Sequence, residues 1–572
     1  MKRLKPYRLL IFLTLVMLFA SALLDLFLPS LMSDIVNKGI GTGDTGEIIR
    51  IGLLMLLVSL LCAATDFVAN YVSARTSMGF GRDLRTETFK KISGYSLHEI
   101  DKYGTSSLIT RTTNDVGQVQ MLLTFGLRMM VNVPLNLIGG TIMAINKAPS
   151  LSWIILVCIP LLALVVAINI KSVTPLFKVM QTKLDKLNRV LREKLTGTRV
   201  IRAFNSVERE QKRFNDANAD LTGTSLKASR RMALMMPATS LVMNAAMVAV
   251  LWLGAGKAQA GVMSAGDLMA FTQYLMQILM SIMMASMMLN MIPRATVSVK
   301  RIGEVLDQEP SVSDPTSPKA PAEGVHGKVS FEHVTFRYPG AENPVLNDIS
   351  FEANPGETVA IIGSTGSGKS TLINLIPRFY DIESGSVKVD GVDVREMEQV
   401  GLRHRIGYVP QKSLLFTGSI AENIRYGKND ADDEEVREAA RIAQALDFIE
   451  AMPEGFDSML AQDATNVSGG QKQRISIARA LVRRPEIYIF DDSFSALDFK
   501  TDAELRAAMK PITKESTILI VAQRVSTVMT ADRIIVLDEG NMVGCGTHDE
   551  LMKDCEVYRE IVASQLKEED IA

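Results

Sequence analysis

Val359-Ala-Ile-Ile362, Gly363-Ser-Thr-Gly-Ser-Gly-Lys-Ser-Thr371, Leu372-Ile-Asn-Leu-Ile376: these consecutive stretches decide how the C-terminal half folds. The first is a short β-branched run that reads as a buried strand. The third has the texture of a helix. Between them Gly363, Gly368, Lys369 and Ser370 stand at the offsets of a P-loop, in the strand–loop–helix context that motif requires. Glycines at Gly363, Gly366 and Gly368 let backbone N–H groups, including those of Ser364, Thr365 and Ser367, converge on phosphate oxygens. The N-terminus of the helix that follows adds a partial positive charge, and Thr371 at the end of the loop counts among the expected nucleotide-binding residues. Lys369 is placed to reach the β- and γ-phosphates, and Ser370 to bind Mg²⁺. A second buried strand, Ile487-Tyr-Ile-Phe490, ends in Asp491-Asp492. Asp491 at such a strand end is placed to hold Mg²⁺. A polyphosphate with Mg²⁺ is therefore the expected ligand.

Upstream, the Pro- and Ser-rich segment 307–324 reads as a linker, with an α/β domain over 325–572. The region 1–306 is different. Six apolar stretches, roughly 9–31, 51–74, 127–146, 151–170, 233–256 and 268–292, are each long enough to cross a hydrocarbon core about 30 Å thick as a helix. The net charge of −1 over 572 residues hides a split. Up to Arg301 there are 34 Lys+Arg against 17 Asp+Glu; the remainder has 28 against 46. With 47% hydrophobic residues, such a chain is neither a disordered polymer nor a purely soluble enzyme. The long connections 75–126 and 171–232, the second dense in Lys and Arg, alternate with short ones poor in them. The positive-inside rule places the N-terminus, both long loops and everything after 293 in the cytoplasm. The first apolar run extends past Ala20-Ser21-Ala22 by about ten residues, so a cleaved signal peptide is not expected. Residues 176–205 keep helical periodicity and read as extensions of the spans. Cysteines 62, 158, 545 and 555 and five scattered histidines form no zinc or disulfide pattern. Reduced thiols and no transition metal are expected.

Asn466-Val-Ser-Gly-Gly-Gln-Lys-Gln-Arg474 lies about 100 residues after the P-loop and 20 before Asp491. It resembles the signature of ATP-binding-cassette (ABC) proteins. With six spans on the same chain, the sequence resembles an ABC exporter half-transporter along essentially its whole length. The implied fold is an α-helical membrane domain of six transmembrane helices plus an α/β P-loop ATP-binding cassette. Ile109-Thr-Arg111 and Asn114-Asp115 in the first loop resemble the family's pattern, as do Arg199-Val-Ile-Arg-Ala-Phe204 and Phe214 in the second. These loops should end in short coupling helices. By the same resemblance Tyr338 stacks on adenine, the alternative being a ring packed in a strand core. Gln411 is the Q-loop glutamine that senses Mg²⁺. Ser495 and Asp498 form the D-loop at a dimer interface. Ser468, Gly469, Gly470 and Gln471 act in trans, on ATP held by the opposite subunit.

The departures from the family are as informative. Asp492 stands where a catalytic Glu normally activates the attacking water, and Gln523 where a switch His is usual. Asp is one methylene short, and Gln cannot carry a proton as imidazole does. Both fall on one nucleotide site. Leu460-Ala-Gln-Asp-Ala464 replaces the usual Gly-Glu-x-Gly before an intact signature. This combination resembles the degenerate-site member of a heterodimeric exporter pair. The expected function is ATP-driven export of a hydrophobic or amphipathic substrate across the bacterial cytoplasmic membrane. The expected partners are a second half-transporter with Glu after its Walker B Asp, membrane lipids, and a small-molecule, lipid or peptide cargo. No nucleic acid is expected. The alternatives are a homodimeric exporter with slow ATPase and a non-transporting ATP-binding membrane sensor. A soluble cassette or an importer subunit is excluded by the fused spans. Within or near the spans, Asp25, Asp66 and Arg128 are functional candidates, although a position at the interface or in a helix extension explains them more simply. Seven methionines between Met276 and Met291 suit an adaptable apolar surface, with ordinary helix packing or lipid contact the preferred account.

Overall fold

The computed structural model describes residues 2–321, 324 and 326–565. The expected boundary at 324/325 adjoins residues 322, 323 and 325, which lie outside the described residues, as does 566–572. The chain forms two compact units. One comprises Met1–Lys91 and Ser106–Gln308; the other comprises 92–105 and the described residues from Glu309 onward.

Among the described residues, the first unit holds six helices long and apolar enough to cross a membrane, and each contains one of the expected spans. The chain is a multi-pass membrane protein. Several helices far exceed the bilayer. Thr45–Ser93 runs for 49 residues, about 74 Å at 1.5 Å per residue. Ser152–Thr196 runs unbroken for 45; the extension expected over 176–205 ends there, at Gly197, and a separate short helix Thr198–Ala203 follows. At one end of these helices a polar knot ties three spans together. Ser33 Oγ donates to Asp267 Oδ1 at 2.8 Å, and Lys147 lies 3.6 Å from both Asp34 and Asp267. At the other end, Arg111 reaches the carbonyl of Arg301 and the carboxylate of Glu304, and Ser298 Oγ donates to Asp115 at 2.7 Å. The first-loop motif thus pins the start of the third span to the end of the sixth.

The described residues of the second unit form twelve strands: β1 (Val329–Phe336), β2 (Leu346–Ala353), β3 (Thr358–Gly363), β4 (Ser384–Val389), β5 (Val392–Asp393), β6 (Ile406–Val409), β7 (Gly418–Ser419), β8 (Met459–Leu460), β9 (Ile487–Asp491), β10 (Thr517–Val521), β11 (Arg533–Asp538) and β12 (Asn541–Gly546). A six-stranded sheet has the order β12-β11-β3-β10-β9-β6. It is parallel except for β12. An antiparallel sheet β2-β1-β4-β5 carries the segment with Tyr338, and β7 pairs with β8. Central strands alternate faces with period two. Ala360, Ile362, Phe490 and Ile520 join one core, while Val359, Ile361, Ile489 and Leu519 join the other. Covered on both faces, these strands read as continuous apolar runs. In an open α/β sheet, ligands bind beyond the carboxyl ends of the strands. Here those ends lead into the P-loop (β3), Gln411 (β6), Asp491-Asp492 (β9) and Gln523 (β10).

Two short helices occupy the expected loop ends. In the second unit, Leu97–Tyr103 begins at a capping box made by Ser96 and Glu99. Buried Glu99 accepts from Ser96 N at 3.0 Å and from Ser311 N at 3.1 Å. Tyr380 Oη donates to Asp101 at 3.3 Å. Burial opposes the charge on Glu99, but the hydrogen bonds from Ser96 and Ser311 outweigh it and hold its carboxyl below the ordinary range. A depressed folded value contributes stability above the unfolded pKa that is lost as pH falls through the folded one. Glu99→Ala should therefore loosen the 97–103 helix by about 1–3 kcal/mol. The check is faster amide exchange of 97–103 in the variant at neutral pH, with the difference from wild type vanishing only in acid. In the first unit, Thr198–Ala203 buries none of its residues and leaves Val200 and Phe204 61% and 78% exposed.

Candidate nucleotide site

A cavity of about 220 Å³ in the second unit is lined by Thr365, Gly366, Gly368, Lys369, Ser370, Thr371, Gln411, Asp491, Asp492 and Gln523, with Val345 and Val521. The sheet order explains this gathering. Strand β10 lies between β3 and β9, so the residue two places beyond β10 falls between the P-loop and the Asp pair. Four stretches far apart in sequence converge because their strands are neighbours.

The P-loop bends where its glycines require it. Gly366 and Gly368 take φ of +87° and +97°, in the region where side chains are strained. A Cβ on Gly368 would also lie 2.7 Å from Leu346 Cδ2, and one on Gly363 would lie 2.1 Å from the carbonyl oxygen of Leu537. Lys369 Nζ donates to the carbonyls of Gly363 and Ser364 at 2.8 and 2.7 Å. Burial lowers its pKa, while the charges of Asp492 and Asp491 work against that. Ser367 Oγ is buried in the loop with no partner. An ammonium, a ring of backbone N–H groups and an orphaned hydroxyl fit a polyphosphate. Ser370 Oγ donates to Asp491 Oδ1 at 2.9 Å. A hydroxyl and a carboxylate side by side are the oxygen ligands a Mg²⁺ shared with phosphates takes from protein. Burial raises the Asp491 carboxyl above its ordinary value; Ser370 pulls it down and the neighbouring Asp492 pushes it up.

The Asp492 carboxylate is held by amides. Gln523 Nε2 donates to its Oδ2 at 3.1 Å, and Gln411 Nε2 lies 3.4 Å from the same atom. Its backbone is left-handed, with φ of +47°. Ser495 Oγ donates to its carbonyl at 2.8 Å. Burial raises its carboxyl, opposed by the hydrogen bond from Gln411 and the charge of Lys369. Among the described residues, no imidazole lines this cavity.

Tyr338 stands beside the P-loop helix with its hydroxyl 3.0 Å from Thr371 Oγ1. Its ring packs edge-on against Phe336 and Tyr380. The signature residues lie outside the cavity. Ser468 caps the helix Gly469–Leu481, its Oγ accepting from Gln471 N at 3.3 Å while Gln471 Oε1 accepts from Ser468 N at 2.8 Å. Asp498 caps Phe499–Met509 through Thr501 N at 3.0 Å. Gly469 is exposed and Gly470 half-buried at the start of their helix. In the first unit, the intramembrane candidates divide into two groups. Asp66 accepts from Ser21 at 2.9 Å and lies 3.6 Å from Arg128, whereas Asp25 meets Gln277 Nε2 at 3.4 Å. Sequence reasoning missed Ser21 and Gln277, because neither is ionisable and no spacing links them to Asp66 or Asp25.

Six spans joined to a P-loop cassette with an intact signature define an ABC exporter half-transporter, an ATP-driven transport ATPase. The chain belongs to the ABC transporter family. The family profile described as ABC transporter transmembrane region matches residues 11–282, and that described as ABC transporter matches 346–495. A protein of Mycobacterium tuberculosis described as an uncharacterized ABC transporter ATP-binding protein is 44% identical over 567 residues, covering 99% of this chain and 97% of the relative. A fatty acid ABC transporter ATP-binding/permease protein of the same species is 34% identical, covering 92% and 82%. The solved structure of a bacterial Atm1-family ABC exporter with ATP bound superposes with a TM-score of 0.77 at 27% identity, covering 97% of this chain and 98% of that one.

Proposed function

We propose that this chain is the degenerate-site half of a heterodimeric exporter in the bacterial cytoplasmic membrane, with the N-terminus and cassette in the cytoplasm. The observation that carries the reading is the Asp492 carboxylate tethered by Gln523 and Gln411 on one oxygen. That group is one methylene shorter than Glu, and no imidazole stands beside it. A displacement of about 1 Å in a reacting group costs on the order of 10²-fold in rate. Lys369, the P-loop N–H groups and Tyr338 hold ATP, and Ser370, Asp491 and Gln411 hold its Mg²⁺. Bound ATP supplies the free energy of phosphoanhydride hydrolysis. Asp492 and Gln523 retain nucleotide more than they turn it over. Ser468, Gly469, Gly470 and Gln471 complete the partner's competent site.

Two exposed apolar surfaces support a second chain. One is Val200 and Phe204 in the second cytoplasmic loop. The other is a cassette groove of about 370 Å³ lined by Phe379, Tyr408, Leu414, Phe416 and Tyr426. The cargo is a hydrophobic or amphipathic molecule, and the relative named as a fatty acid transporter favours a lipid-like one. The purified chain alone should hydrolyse ATP poorly, and co-expression with a half-transporter carrying Glu after its Walker B Asp should restore turnover. Vigorous ATPase activity from the chain alone would overturn the heterodimer.

A further inference from the structure

Gln565 ends the helix Glu556–Gln565, the last helix of the described chain. Its carboxamide touches the loop after β10 at two backbone points. Oε1 accepts from Val525 N at 2.9 Å, and Nε2 donates to the carbonyl of Gln523 at 2.8 Å. The two bonds straddle Arg524. Gln523 sends its side chain to Asp492. Arg524 donates to the carbonyl of Ser495 at 3.0 Å and lies over the ring of Phe499. One side chain therefore fixes the backbone from which both the nucleotide-facing amide and the link to the 495–498 loop project. The helix behind it is anchored by Tyr558 and Val562, both buried, with Tyr558 Oη 2.8 Å from His548 Nδ1.

We propose that Gln565 is a positioning residue for the nucleotide site, a clamp by which the C-terminal helix holds Gln523 against Asp492 and Arg524 against the 495–498 loop. An amide is the right chemistry. The loop presents one N–H and one C=O, and only a side chain that both accepts and donates satisfies the pair. Alanine does neither. A glutamate carboxylate accepts from Val525 N but cannot donate to the Gln523 carbonyl, whereas a protonated glutamic acid does both. This distinction separates a clamp from a merely structural residue.

The inference rests on the reading that this chain's own site retains nucleotide. Its test uses the assembled pair with a fluorescent ATP analogue loaded at that site and chased with ATP. Gln565→Ala should speed release about 3- to 10-fold, as expected for two partly exposed hydrogen bonds, with an unchanged thermal midpoint. Gln565→Glu should behave like Gln565→Ala at pH 8. It should approach the wild-type rate measured at the same pH as conditions near pH 5 begin to protonate the carboxylate. Wild-type release from Gln565→Ala would overturn the clamp. So would faster release that only tracks a lowered midpoint, with no recovery of Gln565→Glu at low pH. If the unmodified pair retains no nucleotide at this site, the retention reading fails instead. The clamp is then judged on turnover: Gln565→Ala must lower kcat at an unchanged midpoint, and an unchanged kcat overturns it.

Discussion

Ser468→Ala in the assembled pair should reduce ATP turnover about 10²-fold or more, while Lys369→Ala in the same chain should reduce it far less. The asymmetry follows from where the two residues stand. Lys369 lines this chain's own cavity beside Asp492, the carboxylate that the proposed reading makes a weak activator of water. Ser468 lies outside that cavity on an exposed helix start, where it can serve phosphate bound by another subunit. Loss of one preorganised donor at a transition state costs roughly 10²- to 10³-fold in rate, and on the proposed heterodimer that penalty falls on the partner's site. Ser468 also caps its own helix, so alanine removes a cap worth about 1 kcal/mol. Ser468→Asp separates the effects: aspartate keeps the cap but sets a negative charge against a phosphate. If Ser468→Asp restores turnover, the cap alone matters. If it is as inactive as Ser468→Ala, the hydroxyl acts in trans. Equal losses from Ser468→Ala and Lys369→Ala would contradict the asymmetry.

Much of this site is legible in sequence because its chemistry is local. The P-loop packs a phosphate cradle into nine consecutive residues, and a buried strand ending in Asp491 announces itself by its apolar run. The spans are legible because a bilayer imposes a minimum length on apolar helices. What sequence hides are pairings across distance. Strand order places Gln523 beside Asp492, 31 positions away. Glu99 anchors a loop helix to Ser311 across 212 positions. Gln565 has no sequence mark at all, since a polar residue near a chain end reads as a solvated surface. Arg111 and Asp115 were read from the family's pattern, but the pattern says nothing of their role. The structure gives it: both tie helix ends together within the membrane unit.

Restoring both departures at once should raise hydrolysis at this chain's own site by about 10²-fold or more, whereas Asp492→Glu alone should do little. The single change supplies reach, since one methylene returns roughly the 1 Å whose loss costs on the order of 10²-fold. But the longer carboxylate would still meet Gln523 Nε2, an amide that holds Oδ2 of Asp492 at 3.1 Å and cannot shuttle a proton. Glu is also less at ease than Asp in the left-handed backbone at position 492, where φ is +47°. Catalytic groups that act as a unit are strongly non-additive, so Gln523→His alone should also do little, having no carboxylate of sufficient reach beside it. The measurement is single-turnover hydrolysis in the pair, with the partner's catalytic glutamate mutated to silence the competent site. Wild type, Asp492→Glu, Gln523→His and the double variant form a cycle. The expected signature is a coupling term that carries most of the gain. A full recovery from Asp492→Glu alone would assign the lost activity to reach and leave Gln523 a bystander. No recovery from the double variant would move the defect across the interface, to the signature that the partner contributes to this site.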